Sequence, residues 1–144
     1  MAHSVCRKRN MNLHFQTREK EGIRILDLQG PLKAGESEAS LRTAIIGLAE
    51  ANVVNIVLDL AGVTKIDADG LAALVFCAVR VRRSGGALKL ANVDRHRFSP
   101  ALLARLDARF ELFADEQDAV NSFFPDRAIH RYDILDWVRE AEKR

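Results

Sequence analysis

The stretch VVNIVLDLAGVTKIDADGL, residues 53–71, decides the fold of this chain. Residues 53–60 form a near-continuous apolar run, as expected for a strand buried on both faces inside a parallel sheet. From Asp67 onward, apolar residues recur with the helical period after an acidic start. A buried strand followed by an acidic helix start predicts an α/β domain that presents a recognition surface at this point.

The flanking segments extend the α/β pattern in both directions. Residues 12–20 and 23–28 alternate between polar and apolar, which predicts a β-hairpin near a sheet edge, and Gly30-Pro31 is predicted to end its second strand. The predicted order is β-β-α-β-α-β-α-β-α. The strands are predicted at 12–20, 23–28, 53–60, 87–93 and 110–113, and the helices at 36–51, 67–83, 100–106 and 115–124.

Length and composition restrict the class of protein. A chain of 144 residues accommodates one domain with its own core, and a net charge of +2 gives no sign of a nucleic-acid surface. Cys6 and Cys77 lie in contexts too different for a disulfide framework, and no signal peptide or membrane span is predicted, so we expect a cytoplasmic protein. We divide the chain into a basic leader at 1–11, predicted to be disordered, a domain at 12–124, and an amphipathic helical extension at 125–144 that we expect to pack on the domain.

The chain carries no recognisable catalytic motif. Its four histidines lack metal-ligand spacing, and neither a phosphate-binding glycine-rich loop nor a nucleophile elbow is present. Cys77 has no adjacent histidine or second cysteine and is predicted to be a packed thiol. We therefore predict a protein that is not an enzyme, with no cofactor, no metal and no catalytic residue.

The order of elements, together with IVLDLAGV at 56–63 and IDADGLAAL at 66–74, resembles the STAS family, the sulphate-transporter and anti-sigma-factor-antagonist domain. The resemblance implies an α/β fold with a four- or five-stranded mixed sheet and helices mainly on one face. It also implies a bacterial protein that regulates transcription by binding an anti-sigma factor or a related kinase-like partner, and it is compatible with a homodimer. The implied partner contacts are Asp67, Ala68, Asp69, Gly70 and Leu71.

The position after the motif aspartate departs from the family pattern. In the soluble bacterial members that this chain resembles, a serine or threonine there is phosphorylated by an anti-sigma kinase. The matching residue here is Ala68, which has no hydroxyl, so we expect the usual phospho-switch to be lost. Asp69 places a permanent negative charge beside it, and one carboxylate imitates a phosphate imperfectly, which favours constitutive behaviour over mimicry. A second departure is Lys33, where antagonists often have an acid.

Several interpretations stay open at the level of sequence. Asp67 is an N-cap or a direct partner contact, Gly70 serves sheet packing or close approach of a partner, and Leu71 is a contact or a core residue. Thr64 is the nearest upstream hydroxyl and is predicted to be a plain loop residue. The alternative function is a non-catalytic STAS subunit of a lipid-transport ABC complex, with the second helix lying against the ATPase subunit.

Overall fold

The computed structural model describes residues 13–127, and the order of their elements is the predicted one. The strands are β1 (His14–Lys20), β2 (Ile23–Leu32), β3 (Asn55–Ile66), β4 (Ala87–Ala91) and β5 (Leu112–Phe113), and the helices are α1 (Glu36–Glu50), α2 (Ala68–Arg83), α3 (Pro100–Arg109) and α4 (Glu116–Asn121). The sheet order is β1-β2-β3-β4-β5, with β1 antiparallel to β2 and the remaining neighbours parallel. The strand with the two-sided apolar pattern is thus the middle strand, and the hairpin lies at an edge, as predicted.

Apolar residues on the two faces of the sheet form two separate cores. The larger core lies under α1, α2 and α3, where alternate residues of β3 such as Ile56, Leu58 and Leu60 are fully buried. The smaller core lies on the opposite face, where α4 contributes Ala119 and Val120. Three of the four helices within residues 13–127 therefore share one face, which agrees with the predicted mixed sheet with helices mainly on one side.

Two strands are longer than the sequence predicts. β2 continues through Gly30-Pro31 to Leu32, and β3 continues beyond residue 60 to Ile66, so the predicted loop at 61–65, including Thr64, is strand. Register shifts in the β2–β3 ladder, one of them between Gly30 and Pro31, accommodate a proline that lacks a backbone donor. These local irregularities interrupt the alternating pattern from which strands are predicted.

A side chain forms hydrogen bonds to the unpaired edge of β3 beyond Asp59. The register of β4 against β3 ends at Asp59, so the following β3 carbonyl groups have no strand neighbour on that side. Arg97, from the segment after β4, donates from Nη1 to the carbonyl oxygens of Ala61 at 2.5 Å and Val63 at 2.8 Å. A charged donor thus replaces the missing ladder bonds.

The predictions for the two termini lie outside the described residues. They concern the basic leader at 1–11 and the extension at 125–144, of which only residues 125–127 are described. α4 ends at Asn121, somewhat before the predicted limit of residue 124.

Cys77 is fully buried in the larger core, as the sequence predicts for a packed thiol. Burial raises the pKa of this thiol to about 12, so the reactive thiolate is scarce near neutral pH. In a Cys6→Ser chain, Cys77 is the sole thiol, and we expect no reaction with a chromogenic disulfide reagent at about pH 8 until the protein is unfolded. Labelling of the native protein at the rate of an exposed thiol would contradict this burial.

Candidate partner-binding site

Asp67 joins the start of α2 to the end of β2. Its Oδ1 accepts a hydrogen bond from the backbone N–H of Gly70 at 2.8 Å, so Asp67 is the N-cap of α2, one of the two roles that the sequence left open. Its Oδ2 accepts from the backbone N–H of Ala34 at 3.3 Å, and its own N–H donates to the Leu32 carbonyl at 3.2 Å. The bonds that the carboxylate accepts from Gly70 and Ala34 favour its charged form and lower the pKa of Asp67, the Gly70 bond contributing most. Both carboxylate oxygens thus have structural partners within the chain.

Gly70 lies where the first turn of α2 meets the β2 backbone. The residue is buried, and a Cβ built on it would stand 2.1 Å from the carbonyl oxygen of Leu32, far inside contact distance. Glycine is therefore needed for the close approach of helix and strand. This geometry favours the packing role that the sequence left open beside approach of a partner.

The other three residues of the predicted contact set differ in exposure. Ala68 and Asp69 are exposed in the first turn of α2, and Leu71 is half-buried against the larger core. Residue 68, which follows the motif aspartate, is thus open to solvent, and Asp69 presents its carboxylate beside it. As the sequence predicts, all three residues lie at the start of α2.

A groove between α2 and α3 begins at this end. Its volume is about 590 Å³, and α2 lines it with the mainly apolar side chains of Ala68, Leu71, Ala72 and Val75, whereas α3 contributes Arg105, Ala108 and Arg109. Arg105 and Arg109 are exposed, and neither has an ion-pair partner within residues 13–127. An apolar floor with a cationic rim is a surface suited to a protein partner. The sequence did not reveal the α3 side, because its residues lie more than 30 positions from the motif.

A cluster of charged residues that the sequence did not reveal lies on the opposite face of the sheet. Arg18 of β1 donates to Asp27 from Nε at 2.6 Å and from Nη2 at 3.0 Å. The same guanidinium donates to both carboxylate oxygens of Glu116 on α4, with the Nη1–Oε2 distance at 3.0 Å. Arg18 thus connects the edge hairpin to α4.

Asp59 completes this cluster from the middle strand. It is buried, and it accepts hydrogen bonds from the side-chain amide of Asn92 and from the backbone N–H of Ala61, each at 2.9 Å. Desolvation raises the pKa of Asp59, whereas the hydrogen bonds from Arg18 lower that of Glu116. These bonds give Asp59 a structural role in the interior of β3.

Three carboxylates of this cluster, on Asp27, Asp59 and Glu116, have oxygens within 4.8 Å of one another. Carboxylates this close together require a positive charge beside them, and the guanidinium of Arg18 supplies it. The arrangement is therefore a charge network that joins β1, β2, β3 and α4.

Comparison with known proteins gives the family. The family model for the STAS domain matches residues 14–119. The anti-sigma factor antagonist SpoIIAA in its unphosphorylated form is similar in structure, with 14% identity, coverage of 79% of this chain and 100% of that one, and a TM-score of 0.61. An anti-sigma factor antagonist from Mycobacterium paratuberculosis shows 20% identity, coverage of 76% and 92%, and a TM-score of 0.60. The murine anion transporter Slc26a9 shows 20% identity and a TM-score of 0.58 over 72% of this chain and 18% of the transporter.

The chain belongs to the STAS domain family, because the match covers most of its length. The solved structures share the fold with it at low identity, and no sequence of curated function matches it significantly. Within residues 13–127, no helix is long and apolar enough to cross a membrane.

Proposed function

We propose that this chain is a non-catalytic regulator of transcription that binds an anti-sigma factor or a related kinase-like protein, in the manner of an anti-sigma-factor antagonist. The observation that supports the proposal most is the α2–α3 groove, which opens at Ala68, the position equivalent to the phosphoacceptor in the antagonists that the sequence resembles. Its apolar floor and its two arginines provide the area and the charge that a protein partner requires. The contact surface comprises Ala68, Asp69, Leu71 and the groove, whereas Asp67 and Gly70 hold the helix start in place.

The absence of a hydroxyl at residue 68 gives this proposal a regulatory consequence. A phosphate at this position would add about −1.5 to −2 charges beside Asp69 and would alter binding through repulsion and new hydrogen bonds. Ala68 cannot accept one, so binding through this surface is constitutive. The carboxylate of Asp69 contributes a fixed charge to the surface and does not replace the switch.

Binding of the partner can be tested by affinity capture from the native cytosol. We expect the wild-type chain to capture an anti-sigma factor, and Ala68→Glu or Ala108→Glu to reduce its recovery by about tenfold or more, because a carboxylate would stand on the apolar floor of the groove. Ala39→Glu is the matched control, since Ala39 is an exposed helical alanine on α1, and it should bind as the wild type does. Recovery of an ABC-transporter ATPase, with the same dependence on residues 68 and 108, would instead support the lipid-transport alternative.

The lost switch has its own test. Mass spectrometry of the protein isolated from its native cells should show no phosphate within residues 63–70, where Thr64 carries the sole hydroxyl. The Ala68→Ser variant should gain a phosphate at residue 68 in the same cells, because it restores an exposed acceptor in the first turn of α2. Phosphate on Thr64 of the wild type would show that a switch persists at a neighbouring position.

A further inference from the structure

The outward face of α2 carries a row of exposed residues, most of which do not line the α2–α3 groove. Asp69, Ala72, Phe76, Val79 and Arg83 follow one another at intervals of three, four, three and four, which is the heptad spacing of a helix that pairs with another helix. All five are exposed. We call this row the α2 seam.

The apolar part of the seam is unusual for this protein. Phe76, with 38% of its surface exposed, and Val79, with 42%, are the two exposed large hydrophobic residues within residues 13–127. They lie one helical turn apart, close to the middle of α2. Two such neighbours at heptad spacing mark a face that gains stability when another surface covers it.

The charges at the ends of the seam determine what can cover it. Asp69 lies seven residues before Phe76, and Arg83 lies seven residues after it. Two antiparallel copies of the seam therefore bring each Asp69 close to Arg83 of the second copy, with Phe76 and Val79 of both copies between the two ion pairs. A parallel pairing would set like charges against each other, and a uniformly acidic or basic partner would match only one end.

We propose that α2 pairs antiparallel with α2 of a second copy of this chain, forming a two-fold symmetric dimer through the α2 seam. Antiparallel pairing also opposes the two helix dipoles, which favours the arrangement. Self-complementarity of one patch is the requirement of an isologous interface, and the seam satisfies it with a single helix.

The α1 side of the seam is already ordered for this contact. The guanidinium of Arg42 lies over the Phe76 ring, 5.0 Å from its centroid, and Arg42 also donates from Nε to Glu38 at 2.9 Å. The cation–π contact restricts the ring before pairing, which reduces the entropy lost on association. The charge of Arg42 is neutralised by Glu38, so it does not repel a second copy.

The dimer is weak and depends on salt. α2 has 16 residues and is therefore about 24 Å long, and one helix pair of that length covers less than the roughly 1,200 Å² of a standard stable interface. The protein accordingly exists as monomer and dimer in a concentration-dependent equilibrium. Asp69 and Ala72 also belong to the proposed partner surface, so, if that function holds, dimerisation and partner binding exclude each other.

Sedimentation velocity of the full chain at low ionic strength tests the dimer without any partner. Asp69→Arg and Arg83→Glu should each weaken the dimer by about tenfold or more, because each variant places like charges together at both ends of the seam. A mixture of the two variants should form a heterodimer about as tight as the wild-type dimer, because both ion pairs are then restored. The double variant Asp69→Arg/Arg83→Glu should likewise self-associate as the wild type does.

Two further variants complete the experiment. Arg95→Glu makes the same charge change at an exposed position outside α2 and should leave the dimer unchanged, whereas Phe76→Gln should abolish it. Circular dichroism verifies that each variant is folded. A wild-type chain that remains monomeric at about 0.5 mM, where a dimer with a micromolar to submillimolar dissociation constant would be populated, overturns the proposal. So does a dimer that persists unchanged in both single variants or that the mixture fails to restore. A monomeric wild-type chain would leave the proposed capture of an anti-sigma factor intact, because that function does not require the dimer.

Discussion

Gly70→Ala should destabilise the protein by about 3 kcal/mol, because the new methyl group would overlap the backbone carbonyl of Leu32. A flexible side chain could move aside, but the obstacle here is a strand backbone that also accepts the hydrogen bond of Asp67. Relief therefore requires the first turn of α2 to move away from β2. The change should lower the melting temperature by roughly 10 °C or more.

The matched control for this substitution is Gly47→Ala in α1. Gly47 is an exposed glycine in the interior of a helix, and a Cβ there would meet nothing within 4 Å. Alanine should stabilise the helix by about 0.5–1 kcal/mol because it loses less backbone entropy on folding. Thermal unfolding of the two variants should therefore shift in opposite directions. Equal or inverted shifts would mean that α2 does not lie this close to β2.

Arg18→Met should reverse the pH dependence of stability. Without the guanidinium, the carboxylates of Asp27, Asp59 and Glu116 repel one another, and the pKa values of Asp59 and Glu116 rise. An acid whose pKa is raised in the folded state contributes stability at low pH that is lost as the pH rises through the folded pKa. The free energy of unfolding of the variant should therefore be about 2 kcal/mol lower than that of the wild type near pH 7, and most of this difference should disappear near pH 4. The expected loss is modest because the Arg18 side chain is partly exposed to solvent.

The wild-type protein should show the opposite trend. The pKa values of Glu21, Asp67 and Glu116 are lowered in the folded state, so their stabilisation is present above the unfolded pKa and is lost on acidification. The raised pKa of Asp59 has the opposite effect on stability, but three of the four carboxyl groups with shifted pKa values in residues 13–127 have lowered ones. The melting temperature should thus rise between about pH 3 and pH 5.

Thermal unfolding at several pH values compares the two proteins directly. Arg24→Met is the matched control, because Arg24 is a half-buried arginine of β2 with no ion pair inside the described part of the chain. It should follow the wild-type curve within about 0.5 kcal/mol. If Arg18→Met also keeps the wild-type pH slope, the guanidinium does not hold the three carboxylates together.

The sequence predicted the features that depend on neighbouring residues. Periodicity of two or 3.6 reports which face of an element is buried, so the element order, the interior position of β3 and the packed thiol of Cys77 were all readable. The N-cap bond of Asp67 was predictable for the same reason, since donor and acceptor lie three residues apart. Where backbone pairing overrides local signals, as in the extension of β2 through Pro31, the prediction was wrong.

By itself, then, the sequence determined the family, the sheet and the helix start that carries Ala68 and Asp69. Only the tertiary structure decided that Gly70 serves packing against Leu32, that α3 supplies the second wall of the groove, and that Arg18 and Glu116, 98 residues apart, form one charge network. The physical reason is that a sequence pattern encodes whether a side chain is buried but not which distant residue it meets. Strand register and the packing of helices on the sheet determine those contacts.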